Sequence, residues 1–353
     1  YVVRGIEHLV RSGTSLNDIA ILYRINAQSR ALEEELLRNA VPYRLVGGVR
    51  FYERREIKDM LAFLRFIANP LDELSFLRVI NVPPRKIGKT SIDSLRKTAK
   101  EMLGEDGSVG LLFLVLWGLT AGVTDWDEYF PGLDVDAEAV DGLLERDEIQ
   151  KIKEKYATVI SLFGKLYEAG KRERVRCLID LIIALTGYEE WIDDGTAQAE
   201  ARLENLYELK VVADRHASLG PRDSLLAFLE DVALVEQEEK SDRGNGENGD
   251  AVTLMTMHAA TGLEFDTVFM TGMEEGLFPH ARSFTSPSEL EEERRLCYVG
   301  ITRAKRRLLL TFSENRKTYG GLSERIPSRF ISEIPEDLVE FSSWNRQDDY
   351  RLS

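Results

Sequence analysis

Two blocks of strand-type sequence stand at opposite ends of this chain, and a long stretch with scarcely a strand signal separates them. In the first block Ile19-Ala20-Ile21-Leu22-Tyr23 is a short apolar run suited to a buried strand. Residues 27–39 then carry Leu32, Leu36 and Leu37 on one helical face, and Tyr43–Val46 reads as a second strand stopped by Gly47-Gly48. Ile57, Leu61, Leu64 and Ile67 keep helical spacing until Asn69-Pro70 breaks it. The middle is helical, with amphipathic spacing over 158–169, 174–185, 199–214 and 224–235. Lys240–Asp250, with three glycines and no sizeable apolar side chain, reads as a mobile connector. Strand patterning resumes over Val252–Met257, Thr267–Met270 and Leu308–Phe312; between the last two, Ser288 and Glu291 predict a helix opened by a capping box. Alternating strands and helices predict a parallel α/β sheet with flanking helices. The economical topology is one such domain interrupted by a mainly α-helical insertion. The first part would be 1–70, the insertion 71–250, the second part 251–341 and a tail 342–353; two separate α/β domains are the alternative.

Composition fits a globular chain: 43% of the 353 residues are hydrophobic and 30% charged, which excludes a disordered chain, a collagen-like fibre and a disulfide scaffold. Cys177 and Cys297 have no paired spacing, so a reducing, cytoplasmic setting is expected. His8, His216, His258 and His280 are too scattered to suggest a metal site. The longest apolar run, Val109–Val123, is shorter than the ~20 residues needed to span a bilayer and reads as a buried helix, so no membrane partner is expected. No signal peptide is recognisable, and an opening on Tyr1-Val2-Val3 suits a piece of a longer protein.

The net charge of −15 argues against a nucleic-acid partner until its distribution is considered. Asp125–Glu148 carries ten acids and one base, and Glu230–Asp250 eight acids and two bases, so these windows account for the whole excess. Arg44–Arg65 has six bases against three acids, and Arg78–Lys100 seven bases against Asp93 alone. Such local patches decide whether a phosphate backbone can be held, though solvated helix faces explain each patch equally well.

Gly88-Lys89-Thr90 imitates the end of a nucleotide-binding P-loop. The glycine that should stand five residues earlier is Pro83, followed by Pro84, and prolines offer no amide hydrogen to a phosphate. No strand leads into it, so a P-loop is rejected and the chain alone should not hydrolyse ATP. A glycine turn feeding a basic helix remains, suited to holding one DNA phosphate on backbone amides or simply to starting a helix.

Three distant segments point further: Tyr23-Arg24-Ile25-Asn26-Ala27-Gln28-Ser29-Arg30; Thr256-Met257-His258-Ala259-Ala260-Thr261-Gly262-Leu263-Glu264-Phe265; and Glu292-Glu293-Arg294-Arg295-Leu296-Cys297-Tyr298-Val299-Gly300-Ile301-Thr302-Arg303-Ala304. In this order they resemble the later motifs of superfamily 1 DNA helicases of the UvrD/PcrA/Rep group. Residues 46–59 (VGGVRFYERREIKD), 272–280 (GMEEGLFPH) and Pro327-Ser328-Arg329-Phe330 add matches in family order, and the resemblance covers nearly the whole chain. It implies that the sheet is the second of two RecA-like domains that close on ATP and Mg²⁺. The first, absent here, would supply the P-loop, the Mg²⁺ carboxylates and the catalytic base.

The resemblance also implies residue roles. Arg303 matches the arginine finger, whose guanidinium stabilises charge on the transferring phosphoryl group, and Arg24 a second γ-phosphate sensor. Tyr23 matches a residue that stacks on adenine, and Glu264 one that hydrogen-bonds the ribose. Without the resemblance, the arginines read as surface ion pairs, Tyr23 as a core edge and Glu264 as a cap. His258 and His280 match positions that touch single-stranded DNA, and Arg50 is a further DNA-binding residue that the resemblance implies. Arg85, Lys86, Gly88, Lys89 and Thr90 lie where the family's insertion grips duplex DNA at single/double-strand junctions. Two departures stand out: Thr261 replaces a usual lysine, and Lys86 a usual glycine, so the latter turn is expected to be less tight. The implied whole is an ATP-dependent 3′→5′ DNA helicase or translocase of DNA repair or replication, with repair or replication proteins as possible partners. A non-catalytic DNA- or protein-binding module, to which the acidic Asp125–Glu148 stretch could contribute, is the alternative; a nuclease-coupled subunit is disfavoured because no carboxylate cluster for nuclease chemistry is evident.

Overall fold

The computed structural model describes residues 1–104, 107–131, 146–246, 249–318 and 321–342. Five strands form one wholly parallel sheet: β1 (Ile19–Tyr23), β2 (Tyr43–Val46), β3 (Val252–Thr256), β4 (Phe265–Thr271) and β5 (Ala304–Thr311), in the order β2-β3-β1-β4-β5. The two ends of the sequence therefore interleave. β1 lies between β3 and β4, with Tyr23 level with Thr256 and Leu22 level with Met270. This is the expected α/β, RecA-like sheet with flanking helices, built from sequence on both sides of a long helical stretch. A small antiparallel hairpin, β6 (Asn315–Thr318) with β7 (Gly321–Glu324), follows.

Burial of both sheet faces explains why the strands read as continuous apolar runs rather than alternating ones. On one face Ile19, Ile21, Leu254 and Phe269 pack with Val3, Ile6 and Leu9 of helix Val2–Arg11 and with Leu36 of helix Ser29–Arg38. On the other, Ala20, Leu22, Met255, Val268 and Met270 meet Leu296 and Cys297 of helix Pro287–Ile301, together with Met257, Ala260, Phe330 and Ile331. β5 begins four residues before the expected run, because Lys305, Arg306 and Arg307 open it on an exposed edge. Charges there obscure the apolar signal and suit an edge strand. The helix before β5 starts at Pro287, with Ser286 as its N-cap and no side-chain cap bond. The Ser288–Glu291 capping box is thus not formed; proline's fixed φ makes it the natural first residue of the helix.

By its own contacts the chain divides into a sheet-bearing unit, Tyr1–Glu53 with Leu234–Ser353, and a helical unit, Arg54–Ala233. The first seam falls one helix earlier than the composition break at 70/71, because helix Arg55–Ala68 gives Phe63 and Phe66 to the helical unit's aromatic core. There Phe76 packs on Phe163 at 4.8 Å and on Phe66 at 5.0 Å, and Phe113 closes edge-on at 5.6 Å from Phe76. Helix Val109–Ala121, expected to be buried, carries Leu111–Leu116 in the interior. Among the described residues no helix is long and apolar enough to cross a membrane. Two buried polar links brace the helical unit: Arg54 donates to Asn205 (2.7 Å), which donates to Glu56 (2.6 Å), and Tyr188 donates to Asp59 (2.8 Å).

The expected connector at 240–250 is largely helical: helix Pro221–Gly246 runs through it. Within it Lys240 and Arg243 are good helix formers, and Gly244 and Gly246 fall at the helix end. Residues 247 and 248 of that connector, most of the acidic 125–148 stretch and the tail from 343 lie outside the described residues. Re-entry to the sheet is pinned by Asp250, which accepts from Ser15 Oγ (2.6 Å) and from the Asn17 (2.7 Å) and Leu16 (3.1 Å) amides. Those bonds, the Ser15 hydroxyl first, hold its carboxyl below the usual range.

Candidate functional site

At the C-terminal end of β1 the chain turns sharply. The Gln28 side-chain oxygen accepts the amides of both Arg24 and Ile25 at 3.0 Å. Gly272, with φ +74°, gives that glutamine room: a Cβ there would lie 2.2 Å from Gln28 Nε2. Thus fixed, Arg24 meets Glu293 on helix Pro287–Ile301 in a forked ion pair, Nε to both carboxylate oxygens at 2.9 and 3.0 Å and Nη2 to Oε1 at 2.5 Å. The Arg24 side chain is 21% exposed and that of Glu293 8%. The His280 amide donates to the same carboxylate at 3.0 Å. His258, exposed in the loop after β3, is held below its ordinary pKa by partial desolvation and then by the Arg24 cation, against the pull of Glu293 and Glu292. Its imidazole is therefore neutral near pH 7. Arg24 and the His280 backbone thus meet on one carboxylate, and both charges of the Arg24–Glu293 pair act on His258.

Arg303 lies at the other end of the same helix. It follows Glu293 by ten residues, about 15 Å at the α-helical rise. Its guanidinium donates to Val299 O (3.0 Å), Leu263 O (3.0 Å) and Thr302 Oγ1 (2.9 Å). Every one of these acceptors is neutral, and among the described residues no carboxylate pairs with it. Arg24 is thus ion-paired, though in a largely buried setting rather than at the surface, and among the described residues Arg303 is not. Glu264 is exposed and lies just before β4, between Leu263 and Phe265, whose backbones both bond Arg303, so it neighbours Arg303 rather than Arg24. Thr261, in the usual lysine position, is exposed and donates its hydroxyl to His258 O (3.2 Å).

Tyr23 corrects one expectation. It is 2% exposed and packs with Ile21, Leu36 and Tyr43 on the sheet face opposite helix Pro287–Ile301. Alternation along β1 puts Leu22 on the helix side and Tyr23 on the other, so the ring belongs to the core and is not open for stacking on adenine. Arg50 is half-buried with its guanidinium 5.3 Å from the Tyr43 ring centroid.

In the helical unit the basic turn divides in two. Arg85 is a structural cap: Nη1 donates to Val79 O (2.9 Å) and Ile80 O (3.0 Å) at the end of helix Glu73–Val79, and burial lowers its pKa to about 10. Lys86, Gly88, Lys89 and Thr90 are exposed around the N-terminus of helix Lys89–Leu103, with Gly88 as N-cap. The chain does not loosen where Lys86 replaces glycine. Lys86 adopts φ +62°, so the lysine is forced into the left-handed backbone that a glycine would take freely. Thr90 also borders a cavity of about 340 Å³ with Ser94, Lys151 and Lys155.

Two residues escaped the sequence reading although both lie in quoted motifs: Gln28 and Glu293. Glu293 had a legible signal, since it stands three residues from both Leu290 and Leu296 on the helix's buried stripe, where a charge needs a partner. Glu274 and Glu275, in the 272–280 motif, serve the fold. Glu274, wholly buried, accepts from Arg316 (2.6 and 2.9 Å) and the Ser313 amide (3.0 Å), and Glu275 accepts from Arg329.

Comparison with known proteins matches residues 1–315 to the UvrD-like helicase C-terminal domain. The chain is 39% identical over 353 residues to the ATP-dependent DNA helicase PcrA of Bacillus subtilis (strain 168), covering 96% of this chain and 42% of that protein. It is 38% identical over 348 residues to the protein of the same name from Staphylococcus epidermidis (strain ATCC 35984), covering 96% and 42%. The Staphylococcus aureus (strain Mu50) protein is 37% identical over 360 residues, covering 98% and 44%. The chain spans about two fifths of the length of these relatives.

Proposed function

The chain belongs to the UvrD-like helicase C-terminal domain family, and on that premise we propose that it is the second half of the motor of an ATP-dependent 3′→5′ DNA helicase or translocase acting in DNA repair or replication. A first RecA-like domain would hold ATP and Mg²⁺, since no P-loop is present among the described residues: Gly88 follows irregular chain rather than a strand. The observation that carries the reading is Arg303, a guanidinium fixed by three neutral acceptors with its charge left uncompensated. Such a group is prepared for an anion brought from outside, here the γ-phosphate, where it would stabilise the charge of phosphoryl transfer. Arg24 supplies the second cation once it leaves Glu293, and Glu264, beside Arg303, reaches the ribose. Single-stranded DNA lies along His258 and His280, and the neutral His258 imidazole can contact it without a permanent charge. Lys86, Gly88, Lys89 and Thr90 hold the duplex side of a junction. Arg85 supports that turn from within, and Tyr23 has no ligand role. Two cysteines without a disulfide suit a reducing, cytoplasmic setting.

The test is DNA-stimulated ATPase of the full-length protein. Arg303→Ala is expected to lose about 10³–10⁵ in turnover while nucleotide still binds. Unchanged turnover defeats the assignment.

A further inference from the structure

The Arg24–Glu293 pair poses a physical problem. In the proposed function Arg24 serves a phosphate, yet here its guanidinium is closed on a carboxylate. The turn after β1 is already fixed by Gln28, and the helix bearing Glu293 is held by Leu296 and Cys297 against the sheet. A charge placed on that buried stripe costs desolvation unless its partners compensate it. Those partners come from two other segments, the Arg24 side chain and the His280 amide at the end of residues 272–280. The two bonds use the same atom, Glu293 Oε2, Arg24 Nε at 3.0 Å and His280 N at 3.0 Å, so the position of one donor bears on the other.

We propose that Glu293 is a positioning residue that couples nucleotide to DNA: it holds Arg24 closed and the His280 loop in one setting while nucleotide is absent, and a γ-phosphate competes for Arg24. Once Arg24 turns to the phosphate, the His280 amide is the one donor left to Glu293 among the described residues. The carboxylate then moves toward that amide, and the loop resets its grip on single-stranded DNA. The pull on His258 changes in the same step, since Arg24 and Glu293 act on its imidazole with opposite sign. Sequence neighbours could not carry this coupling, because Arg24 and Glu293 are 269 residues apart and meet only through the sheet.

The inference rests on the proposed placing of Arg24 at nucleotide and of His280 at DNA, so its test separates the two. In the full-length protein, the affinity for a fluorescein-labelled oligothymidine is measured with and without the non-hydrolysable analogue AMP-PNP. Wild type is expected to change affinity by at least about five-fold between the two states. Glu293→Gln keeps an acceptor for the His280 amide but loses the charge that closes Arg24. Its affinity without nucleotide is expected to move to the value that wild type shows with AMP-PNP, bringing the ratio near one. Glu293→Asp, which keeps the charge on a shorter side chain, is expected to lower the ratio as well, and it carries the test if the glutamine variant does not fold. A wild-type affinity indifferent to AMP-PNP, or variants that keep the wild-type ratio, overturns the inference. Arg24→Ala distinguishes the failures. If it abolishes turnover while the Glu293 variants keep the ratio, only the coupling role falls; if it leaves turnover and AMP-PNP affinity untouched, the placing of Arg24 at nucleotide falls first.

Discussion

Lys86 shows how one side chain can be retained against the preference of its own backbone. At φ +62° an L-residue with a Cβ meets the following carbonyl, at about 1–2 kcal/mol, and Lys86 is exposed, so no packing repays it within the unit. Replacing it with glycine relieves that cost and loses part of the gain to the greater freedom of glycine in the unfolded chain, about 0.4–1 kcal/mol. Lys86→Gly is therefore expected to stabilise the helical unit by about 0.5–1 kcal/mol, read as a higher urea midpoint at unchanged m-value. A midpoint that stays or falls would show the turn to be unstrained. If the lysine is kept for a phosphate, the same change in the full-length protein lowers duplex affinity and reduces the salt slope by about one. The sequence marked this position as a departure from glycine, and its residue type correctly signalled an exposed cation. It could not show that Asn81, whose side chain accepts the Arg85 and Ile87 amides at 2.6 and 3.4 Å, holds the turn in its glycine-like form.

Between elements, two neighbouring carboxylates do similar work at different depth. Glu274 is wholly buried and holds Arg316 of β6, while Glu275, 20% exposed at its side chain, holds Arg329 at the start of helix Arg329–Ser332. Arg316→Ala leaves a buried carboxylate with, among the described residues, the Ser313 amide alone, an expected loss of about 3 kcal/mol. Arg329→Ala leaves Glu275 reachable by water and still bonded to the residue 329 amide (2.7 Å), so about 1 kcal/mol or less is expected. Equilibrium urea unfolding of the two variants should keep this order, and a reversed order would refute it. The elements themselves were legible where burial wrote a pattern: β1 and β2 stand on the runs that announce them, and helix Val175–Thr186 lies within a residue of its amphipathic spacing. Legibility failed where charge does structural work. The start of β5 hides behind three cations, helix Pro221–Gly246 continues through polar residues, and Glu293 looks like one acid in a solvated run until its partners arrive from far along the chain. Tyr23 failed differently: a motif position implied a ligand, while strand alternation placed the ring in the core.

The molecule as a whole must solve a closure problem that its sheet order sets. Ala20 pairs with Thr253, so β1 cannot find its neighbours until the entire helical stretch between them has been drawn in. Closing a loop of that length as free coil costs roughly 2 kcal/mol more than closing one of some twenty residues, by the logarithmic scaling of loop entropy. The helical unit meets no such cost, since Arg54–Ala233 is continuous and its aromatic core comes from within that span. Folding it first turns the long loop into a compact body and brings the two sheet segments closer before they pair. The two cysteines report on this order. Cys297 is buried in the sheet core, where desolvation pushes its thiol up to about 12, and Cys177 is exposed on a helix of the helical unit. During refolding from urea, far-UV circular dichroism should recover most of its helical signal before Cys297 becomes protected from a pulse of maleimide. Cys177 should stay reactive throughout as the internal standard. Phe163→Ala, which removes a ring touching Phe63, Phe66 and Phe76, is expected to cost about 3–5 kcal/mol and to delay Cys297 protection although it lies in the other unit. Protection of Cys297 that keeps pace with the helical signal, or that ignores the Phe163 variant, would mean that the sheet closes around an unfolded insertion.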